Sequence, residues 1–235
     1  MTMASVYRMI SERAGLPGAG PVWWKHEYGL QFRIRYYDYL LRQRLGGEYV
    51  FIHINKCGGT SVEEALGIPV KIHDTAQLRR RKIGRRRWDK AFTFALVRHP
   101  YSRMISFHKF RSRYNQTGLR DKPLALSDWI RAVFRDRDPA YRDDPRMFAS
   151  CFDWVSDGEA VIVKHVAKLE EIEAQWPIIQ ERTGTSAPLP LRNASAAGER
   201  ASPEGRRSWS ALDPEARQLL ETNFAKDFEV FGYEP

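Results

Sequence analysis

Cysteine is scarce in this sequence: the 235 residues contain only Cys57 and Cys151. Two cysteines leave room for one disulfide, but they cannot build the disulfide framework of a small secreted domain. Neither lies in a CxxC pattern or next to a cluster of histidines. We therefore expect no metal site.

Long apolar runs are also missing. No stretch approaches the roughly 20 apolar residues that a helix needs to span a bilayer. Near the amino end, Arg8, Ser11 and Glu12 interrupt the apolar residues, so the continuous core of a signal peptide is absent as well. These absences predict a cytoplasmic protein without a transmembrane segment.

Positive charge is in excess. Lys and Arg number 38 against 29 Asp and Glu, which gives a formal net charge of +9 at pH 7. With 43% hydrophobic residues, the composition is that of a globular protein. The excess suits an anionic partner, a class that includes nucleic acids, phosphorylated nucleotides, acidic glycans and membrane surfaces. Composition alone does not choose among them.

The amino-terminal part of the chain contains one clear helical pattern. Between 28 and 45 apolar residues recur at helical spacing, and Gly46 and Gly47 end the predicted helix. The apolar positions are Leu30, Ile34, Tyr37, Leu41 and Leu45. We treat residues 1–48 as an extension and residues 49–235 as a single domain.

The rest of the chain alternates between strand and helix patterns. Short apolar runs predict buried strands at 49–54 and 92–97 and a third strand at 160–163. Helices are predicted after the first two strands, near 126–135 and from Pro214. This alternation favours an α/β domain with a mainly parallel sheet.

The most informative segment is FIHINKCGGTS at 51–61, in which a strand leads through a lysine and two glycines into a helix. Glycines let the backbone approach an anion closely, and the free N–H groups and dipole of a helix start favour a phosphate. A lysine charge and two hydroxyl groups add to this. Taken alone, the segment also fits a tight turn with a capping hydroxyl. The candidate binding residues are Lys56, Gly58, Gly59, Thr60 and Ser61.

FIHINKCGGTS resembles the 5′-phosphosulfate loop of sulfotransferases that use 3′-phosphoadenosine 5′-phosphosulfate (PAPS). The similarity is greatest to the carbohydrate-modifying branch, the heparan 2-O- and chondroitin-type enzymes. That branch commonly has a lysine, a small residue, Gly-Gly, and then Thr and Ser. Cys57 stands where threonine is common. This departure affects one hydroxyl contact and leaves the backbone cradle intact, so Cys57 remains among the predicted cofactor-binding residues.

A second segment, FALVRHPYSRMIS at 94–106, is similar to the family's element for the 3′-phosphate. Arg98 ends the predicted strand, and Ser106 lies about two turns into a helix that begins near Pro100. An arginine can pair with phosphate through two N–H groups, and a serine can donate its hydroxyl. Arg98 and Ser106 are therefore predicted to bind the cofactor.

The resemblance covers roughly 49–233 and implies both a fold and a reaction. The fold is a P-loop-like three-layer α/β fold with a central, mainly parallel sheet flanked by helices. PAPS is the donor, 3′-phosphoadenosine 5′-phosphate (PAP) is the product, and no metal is required. A loop at 193–209 would close over the adenine, with Arg206 and Arg207 as candidate contacts. The expected function is sulfuryl transfer to a hydroxyl, and the branch indicates a carbohydrate acceptor.

Two catalytic roles follow for such a transfer. A cation must stabilise the leaving phosphate, and Lys56 is placed for that role. A general base must take the acceptor's proton. His73, in KIHDTAQL, occupies the segment where related carbohydrate enzymes place a histidine near the acceptor. A capping or solvated histidine remains an alternative, and Glu63 and Glu64 are the other candidate bases.

Two other classes of function compete with this interpretation. A nucleotide or metabolite kinase would require its lysine after the glycines, in GxxxxGK[ST], and a carboxylate for Mg²⁺, but Lys56 precedes the glycines. A nucleic-acid-binding module would explain the charge but not the placement of Lys56, Arg98 and Ser106. We expect no nucleic-acid partner.

The segment RRRKIGRRR at 79–87 has two interpretations. It is either a solvated surface or one side of the acceptor cleft after His73. Clustered arginines bind sulfate, phosphate and carboxylate groups well. On the second interpretation Arg85, Arg86 and Arg87 contact an anionic glycan.

Overall fold

The structure is a computed structural model that describes residues 29–69, 71–190, 209 and 212–235. In chain order, the described strands are β1 (Tyr49–Ile52), β2 (Phe92–Val97), β3 (Ser156–Asp157), β4 (Ala160–Val161) and β5 (His165–Lys168). The described α-helices are α1 (Gly29–Leu45), α2 (Gly59–Ala65), α3 (Ala76–Ile83), α4 (Arg85–Lys90), α5 (Pro100–Arg113), α6 (Leu126–Ile130), α7 (Cys151–Val155), α8 (Ile172–Thr183), α9 (Pro214–Asn223) and α10 (Ala225–Phe231).

Three strands form the central sheet, in the order β1-β2-β5, and both pairings are parallel. All six residues of β2 are buried, as expected for the middle strand of a sheet that is covered on both faces. The predicted α/β fold, a parallel sheet flanked by helices, is confirmed. The boundary between an extension and a domain near residue 48 stays a prediction.

The strand predicted at 160–163 is present in part, but it lies outside the central sheet. The apolar run at 160–163 contributes only β4, which pairs antiparallel with β3. The turn between them contains Gly158 at φ 63°, and both residues of β4 are exposed. The chain joins the sheet a few residues later, where Ala95 of β2 lies beside Val166 of β5.

The apolar core has two large parts, besides a small cluster of Tyr36 with Ile72. One surrounds the sheet and includes Val50, Phe94 and Trp154. The other lies among α5, α6 and α9 and includes Met104 and Trp129. Among the described residues, no helix is both long and apolar enough to cross a membrane.

A buried carboxylate joins the carboxyl-terminal helix to the sheet domain. Asp227 on α10 is fully buried and accepts hydrogen bonds from the backbone N–H groups of Cys151 and Phe152, at 2.9 and 2.7 Å. These are the first N–H groups of α7, which have no acceptor within their own helix. Asp227 therefore caps α7 from a distant part of the chain.

Asp227→Ala should lower the free energy of unfolding by about 1–3 kcal/mol, because two buried donors lose their acceptor. Urea denaturation of the purified protein measures this. Glu229→Ala is the matched control: Glu229 is exposed on the same helix and pairs with Lys226 at the surface, an ion pair that should contribute little. Equal stability of the two variants would contradict the capping role.

Candidate functional site

The site lies where β1 and β2 end. Because the two strands are parallel and paired in register, Ile52 beside Ala95, the segments that follow them leave the same edge of the sheet. Arg98 follows β2 directly and is buried, and its guanidinium donates to the backbone carbonyl of Lys56 at 3.3 Å. The two elements predicted from sequence are thus brought together.

The loop after β1 has a constrained backbone. Lys56 and Gly58 both adopt left-handed conformations, with φ of 66° and 81°. A lysine in this region stores strain, which proteins retain mainly at functional sites. Left-handed residues in a turn can direct successive N–H groups toward one point and so form an anion-binding concavity. The helix α2 begins immediately afterwards, at Gly59.

Gly59 is required by the packing of the loop against a histidine ring. A Cβ atom at this position would lie 2.2 Å from Cδ2 of His53. His53 is buried, so its ring cannot move aside freely. The absence of a side chain at Gly59 is what allows the loop to pass over the end of β1.

Two cationic side chains approach one another at this loop. The amino group of Lys56 lies 4.0 Å from the ring centre of Phe110, on α5. Burial, and next the charge of Arg98, lower the pKa of Lys56 to about 8. Both effects act against the charged lysine, and a bound anion would relieve them. The arrangement fits a phosphate or sulfate group.

The remaining predicted binding residues differ in whether their side chains are accessible to a ligand. Thr60 and Ser61 lie half-buried in the first turn of α2, and Ser106 lies half-buried in the second turn of α5. Cys57 is buried, and its sulfur lies 3.9 Å from that of Cys151. The side chain of Cys57 thus points into the core, and only its backbone is available to a ligand.

A chain of hydrogen bonds joins the loop to two histidines. Nδ1 of His53 lies 2.7 Å from Oε1 of Glu63, and Nδ1 of His73 lies 3.0 Å from the backbone carbonyl of His53. A carbonyl only accepts, so Nδ1 of His73 must carry the proton. Its other nitrogen, Nε2, therefore has the free electron pair. The ring centres of the two histidines are 4.4 Å apart.

Burial sets the charges in this cluster. It lowers the pKa of His53 and of His73 to about 3 each and raises the pKa of Glu63 to about 7. At pH 7 both histidines are neutral, so the contact between His53 and Glu63 is a hydrogen bond and not an ion pair. Oε2 of Glu63 is buried and has no hydrogen-bond partner among the described residues. Glu64, one residue later, is exposed.

Asp74 is separate from this cluster. It accepts from Nε of Arg79 at 3.1 Å and from Nζ of Lys82 at 2.8 Å. Thr75, and not His73, caps α3, because the Thr75 hydroxyl accepts from the N–H of Leu78. His73 is therefore neither a capping residue nor part of a dyad with Asp74.

Much of the basic segment at 79–87 has structural contacts. Arg79 and Lys82 bind Asp74, Arg80 pairs with Asp157, and Arg87 donates to the carbonyl of Gln43. Arg85 and Arg86 are exposed, but their helix α4 leads into the amino end of β2, at the edge of the sheet opposite Arg98. The geometry does not favour a contact between these arginines and an acceptor beside His73.

Sequence reasoning missed three residues of the site. Asn55 and Arg103 hold the loop from below: Nη2 of Arg103 donates to Oδ1 of Asn55 at 2.7 Å. Phe110 lies under Lys56. The only signal was their position, since Arg103 and Phe110 are on the same helix as Ser106 and Asn55 precedes Lys56. The candidates Arg206 and Arg207 lie outside the described residues.

Gly59→Ala should lower the free energy of unfolding by about 1–3 kcal/mol, because the added methyl group overlaps the His53 ring. In most helices this change is neutral or stabilising. Thermal unfolding measures the effect. Gly46→Ala is the control, since its Cβ would lie 3.7 Å from the nearest atom, Nη2 of Arg87, which is an ordinary contact. An unchanged melting temperature for Gly59→Ala would contradict the packing described here.

Comparison with known proteins gives one result. The model of a family described as "Sulfotransferase family" matches residues 48–234, which is most of the chain and includes every candidate site residue named above. No curated protein matches the chain, and no solved structure does so.

Proposed function

The chain belongs to the sulfotransferase family, and we propose that it transfers the sulfuryl group of PAPS to a carbohydrate hydroxyl at the site between β1 and β2. The family is a family of enzymes and implies PAPS as the donor and a sulfate acceptor as the second substrate. The observation that supports this site most is the approach of Lys56 and Arg98 at two adjoining strand ends. The carbohydrate acceptor rests on the resemblance to the carbohydrate-modifying branch.

We assign the 5′-phosphosulfate to the loop and the 3′-phosphate to Arg98 and Ser106. The loop offers Lys56, the backbone at Gly58 and Gly59, and the first hydroxyl groups of α2. Arg98 and Ser106 are eight residues apart in the chain: Arg98 precedes α5, and Ser106 lies in its second turn. Two cationic positions suit a nucleotide with phosphates at both the 5′ and the 3′ positions.

PAPS, when bound, supplies the sulfuryl group and a leaving phosphate. In such a transfer, negative charge develops on the oxygen between sulfur and phosphorus. The amino group of Lys56, already held over the Phe110 ring, is the residue that we assign to this charge. Arg98 holds the backbone of Lys56 through its carbonyl and so keeps the loop in place.

We assign the general base to Nε2 of His73. The hydrogen bond from Nδ1 to the carbonyl of His53 fixes the tautomer and leaves Nε2 able to accept the acceptor's proton. A histidine with a pKa near 3 is a weak base, but nearby negative charge raises a histidine pKa. The anionic donor would move His73 toward the range in which it works.

Glu63 fits a positioning role better than the role of base. Its Oε1 is engaged with Nδ1 of His53, and the side chain is buried. Through His53 it supports both the packing against Gly59 and the carbonyl that orients His73. Glu64, by contrast, is exposed on α2.

An acidic glycan remains part of the proposal, with a different residue in place of the arginines at 85–87. Lys71 is exposed two residues before His73, and its positive charge contributes to lowering the pKa of Lys56 and of His73. It therefore lies close enough to the site to attract a carboxylate or sulfate on the acceptor.

A transfer assay with labelled PAPS tests the proposed function. The purified protein is incubated with neutral sugars, acidic sugars, lipids and small phenols, and labelled product is measured. We expect label in a sugar, and more in acidic than in neutral sugars. Transfer to phenols or lipids alone would contradict the carbohydrate assignment, and failure to release PAP with any acceptor would contradict the site.

Arg98→Ala should weaken PAP binding by roughly ten- to a hundredfold, the usual cost of losing charged hydrogen bonds. Equilibrium dialysis with labelled PAP measures the affinity. Arg113→Ala is the control, because Arg113 is exposed at the far end of the same helix. If Arg98→Ala binds PAP as well as the unaltered protein, the 3′-phosphate is bound elsewhere.

His73→Ala should lower kcat by about 10²–10⁴-fold and leave PAP affinity unchanged, as for the loss of a general base. Glu63→Gln keeps the size of the side chain and should lower kcat less, whereas Glu64→Gln should have no effect. Steady-state rates with PAP affinity measured in parallel separate these roles. Near-normal turnover in His73→Ala, with activity lost in Glu63→Gln, would transfer the role of base to Glu63.

A further inference from the structure

One face of α1 exposes three large aliphatic side chains in a row. Ile34, Leu41 and Leu45 are 59%, 53% and 75% exposed. They are seven and four residues apart, so at 3.6 residues per turn they fall within about 40° of one another on the helix surface. The stripe is about 16 Å long at 1.5 Å per residue. Tyr37, which is 39% exposed, lies on the Arg44 side of this stripe, and the exposed Asp38 lies on its Arg42 side, within about 60° of all three aliphatic residues. Two further exposed apolar residues, Ile178 and Val230, lie on other helices.

The opposite face of α1 already packs against the protein. Tyr36 and Gln43 are buried, and they contact Lys82 and Arg79 of α3 through side-chain hydrogen bonds of 2.7 and 2.9 Å. The helix therefore cannot turn to bury the aliphatic stripe without breaking these contacts. The stripe faces away from the domain.

Arginines flank the stripe on both sides. Arg35 and Arg42 lie about 80–100° to one side, and Arg44 lies about 80° to the other. All three are exposed, and Arg42 pairs with Asp38 at 2.8 Å. An apolar stripe bordered by cations is the pattern of a helix that lies in the interface of an anionic membrane.

The cationic border continues onto the neighbouring helix α4. Nε of Arg87 donates to the carbonyl of Gln43 at 3.2 Å, which places the start of α4 beside the last turns of α1. Arg85 and Arg86, on that start, are exposed. The two arginines that lie far from the transfer site thus extend the charged surface next to the stripe.

We propose that the exposed face of α1 docks this protein on the surface of an anionic lipid bilayer. Ile34, Leu41 and Leu45 enter the acyl boundary, and the flanking arginines of α1 and α4 contact lipid phosphates. The helix is too short and too charged to span the bilayer, so the binding is peripheral. The arginines suit the anionic lipid headgroups, and the adjacent aliphatic side chains suit the acyl chains.

The charges favour a membrane over two other occupants. A second copy of the chain would place the three exposed arginines of each α1 near those of the other, with one Asp38 on each side to offset them. A nucleic acid would satisfy the arginines but leave the aliphatic stripe in water. A bilayer that contains anionic lipid satisfies both.

Vesicle sedimentation tests the proposal directly. The full-length protein should sediment with vesicles of equal parts phosphatidylglycerol and phosphatidylcholine, more weakly at high salt, and very little with phosphatidylcholine alone. The double variant Leu41→Ser, Leu45→Ser should bind at least about tenfold more weakly, because the apolar contribution is lost. Arg42→Gln, Arg44→Gln should bind more weakly and with less dependence on salt.

The matched control is Ile178→Ser, Val230→Ser, which removes two exposed apolar residues elsewhere and should sediment like the unaltered protein. Melting temperatures of all variants verify that each is folded. Absence of binding to the anionic vesicles, or equal loss in the control, would overturn the proposal.

Labelling of Leu45→Cys identifies a competing occupant. Both native cysteines are buried, so the introduced thiol is the reactive one, and the unaltered protein gives the background. Rapid reaction with a maleimide in buffer, slowed by anionic vesicles, supports the proposal. Slow reaction at every protein concentration would mean that another segment of the chain covers the stripe. Slow reaction only at high concentration would mean that a second copy does. Either of these two results overturns the membrane assignment.

Discussion

The side chain of Arg103 lies fully buried beneath the loop that follows β1. Its guanidinium donates to the backbone carbonyl and the side-chain oxygen of Asn55, at 3.2 and 2.7 Å, and to the carbonyls of Ala149 and Met147, at 2.7 and 3.3 Å. One rigid group thereby joins the loop, the helix α5 and the segment before α7. A buried charge of this kind is costly without full hydrogen bonding, and this requirement fixes the relative positions of all three elements. Lys56 follows Asn55, and Arg98 precedes α5, so the distance between the two cationic residues depends on Arg103.

Local sequence patterns predicted much of the fold. The helix of 28–45 ends at Leu45, just before its two glycines. The strand β2 coincides with the apolar run at 92–97, whereas β1 covers only the first four residues of the run at 49–54. The run at 160–163 does contain a strand, but it pairs antiparallel with β3, and only the pairing with β2 shows that the third strand of the central sheet lies at 165–168, where His165 and Lys168 flank two apolar residues. That pairing joins residues about 70 positions apart, and a local pattern does not contain it. The exposure of the stripe on α1 could not be predicted either, because periodicity shows that a helix has an apolar face but not whether other parts of the protein cover that face.

The candidate site was predictable to the extent that its chemistry is local. The lysine and paired glycines follow one predicted strand, and the arginine follows the next, so each can be recognised from its own short segment. Parallel pairing of the two strands then brings the two segments together. The roles of Cys57, Glu63 and His53 depend on which way their side chains point, and this is decided by packing across the fold. Cys57 points to Cys151, and Glu63 reaches His53 from the next helix. The order of these residues along the chain is known from the sequence. The structure shows in addition where their side chains point and whether they are buried.

The cationic pair at the strand ends is most directly examined by calorimetric titration of the unaltered protein with PAP, adenosine 5′-phosphate and ATP with Mg²⁺. A site built for phosphates at both the 5′ and the 3′ positions should bind one PAP per chain, and bind it roughly ten- to a hundredfold more tightly than adenosine 5′-phosphate. Equal affinity for PAP and adenosine 5′-phosphate, or tighter binding of ATP with Mg²⁺ than of PAP, would contradict the assignment of Lys56 and Arg98 to a PAPS site.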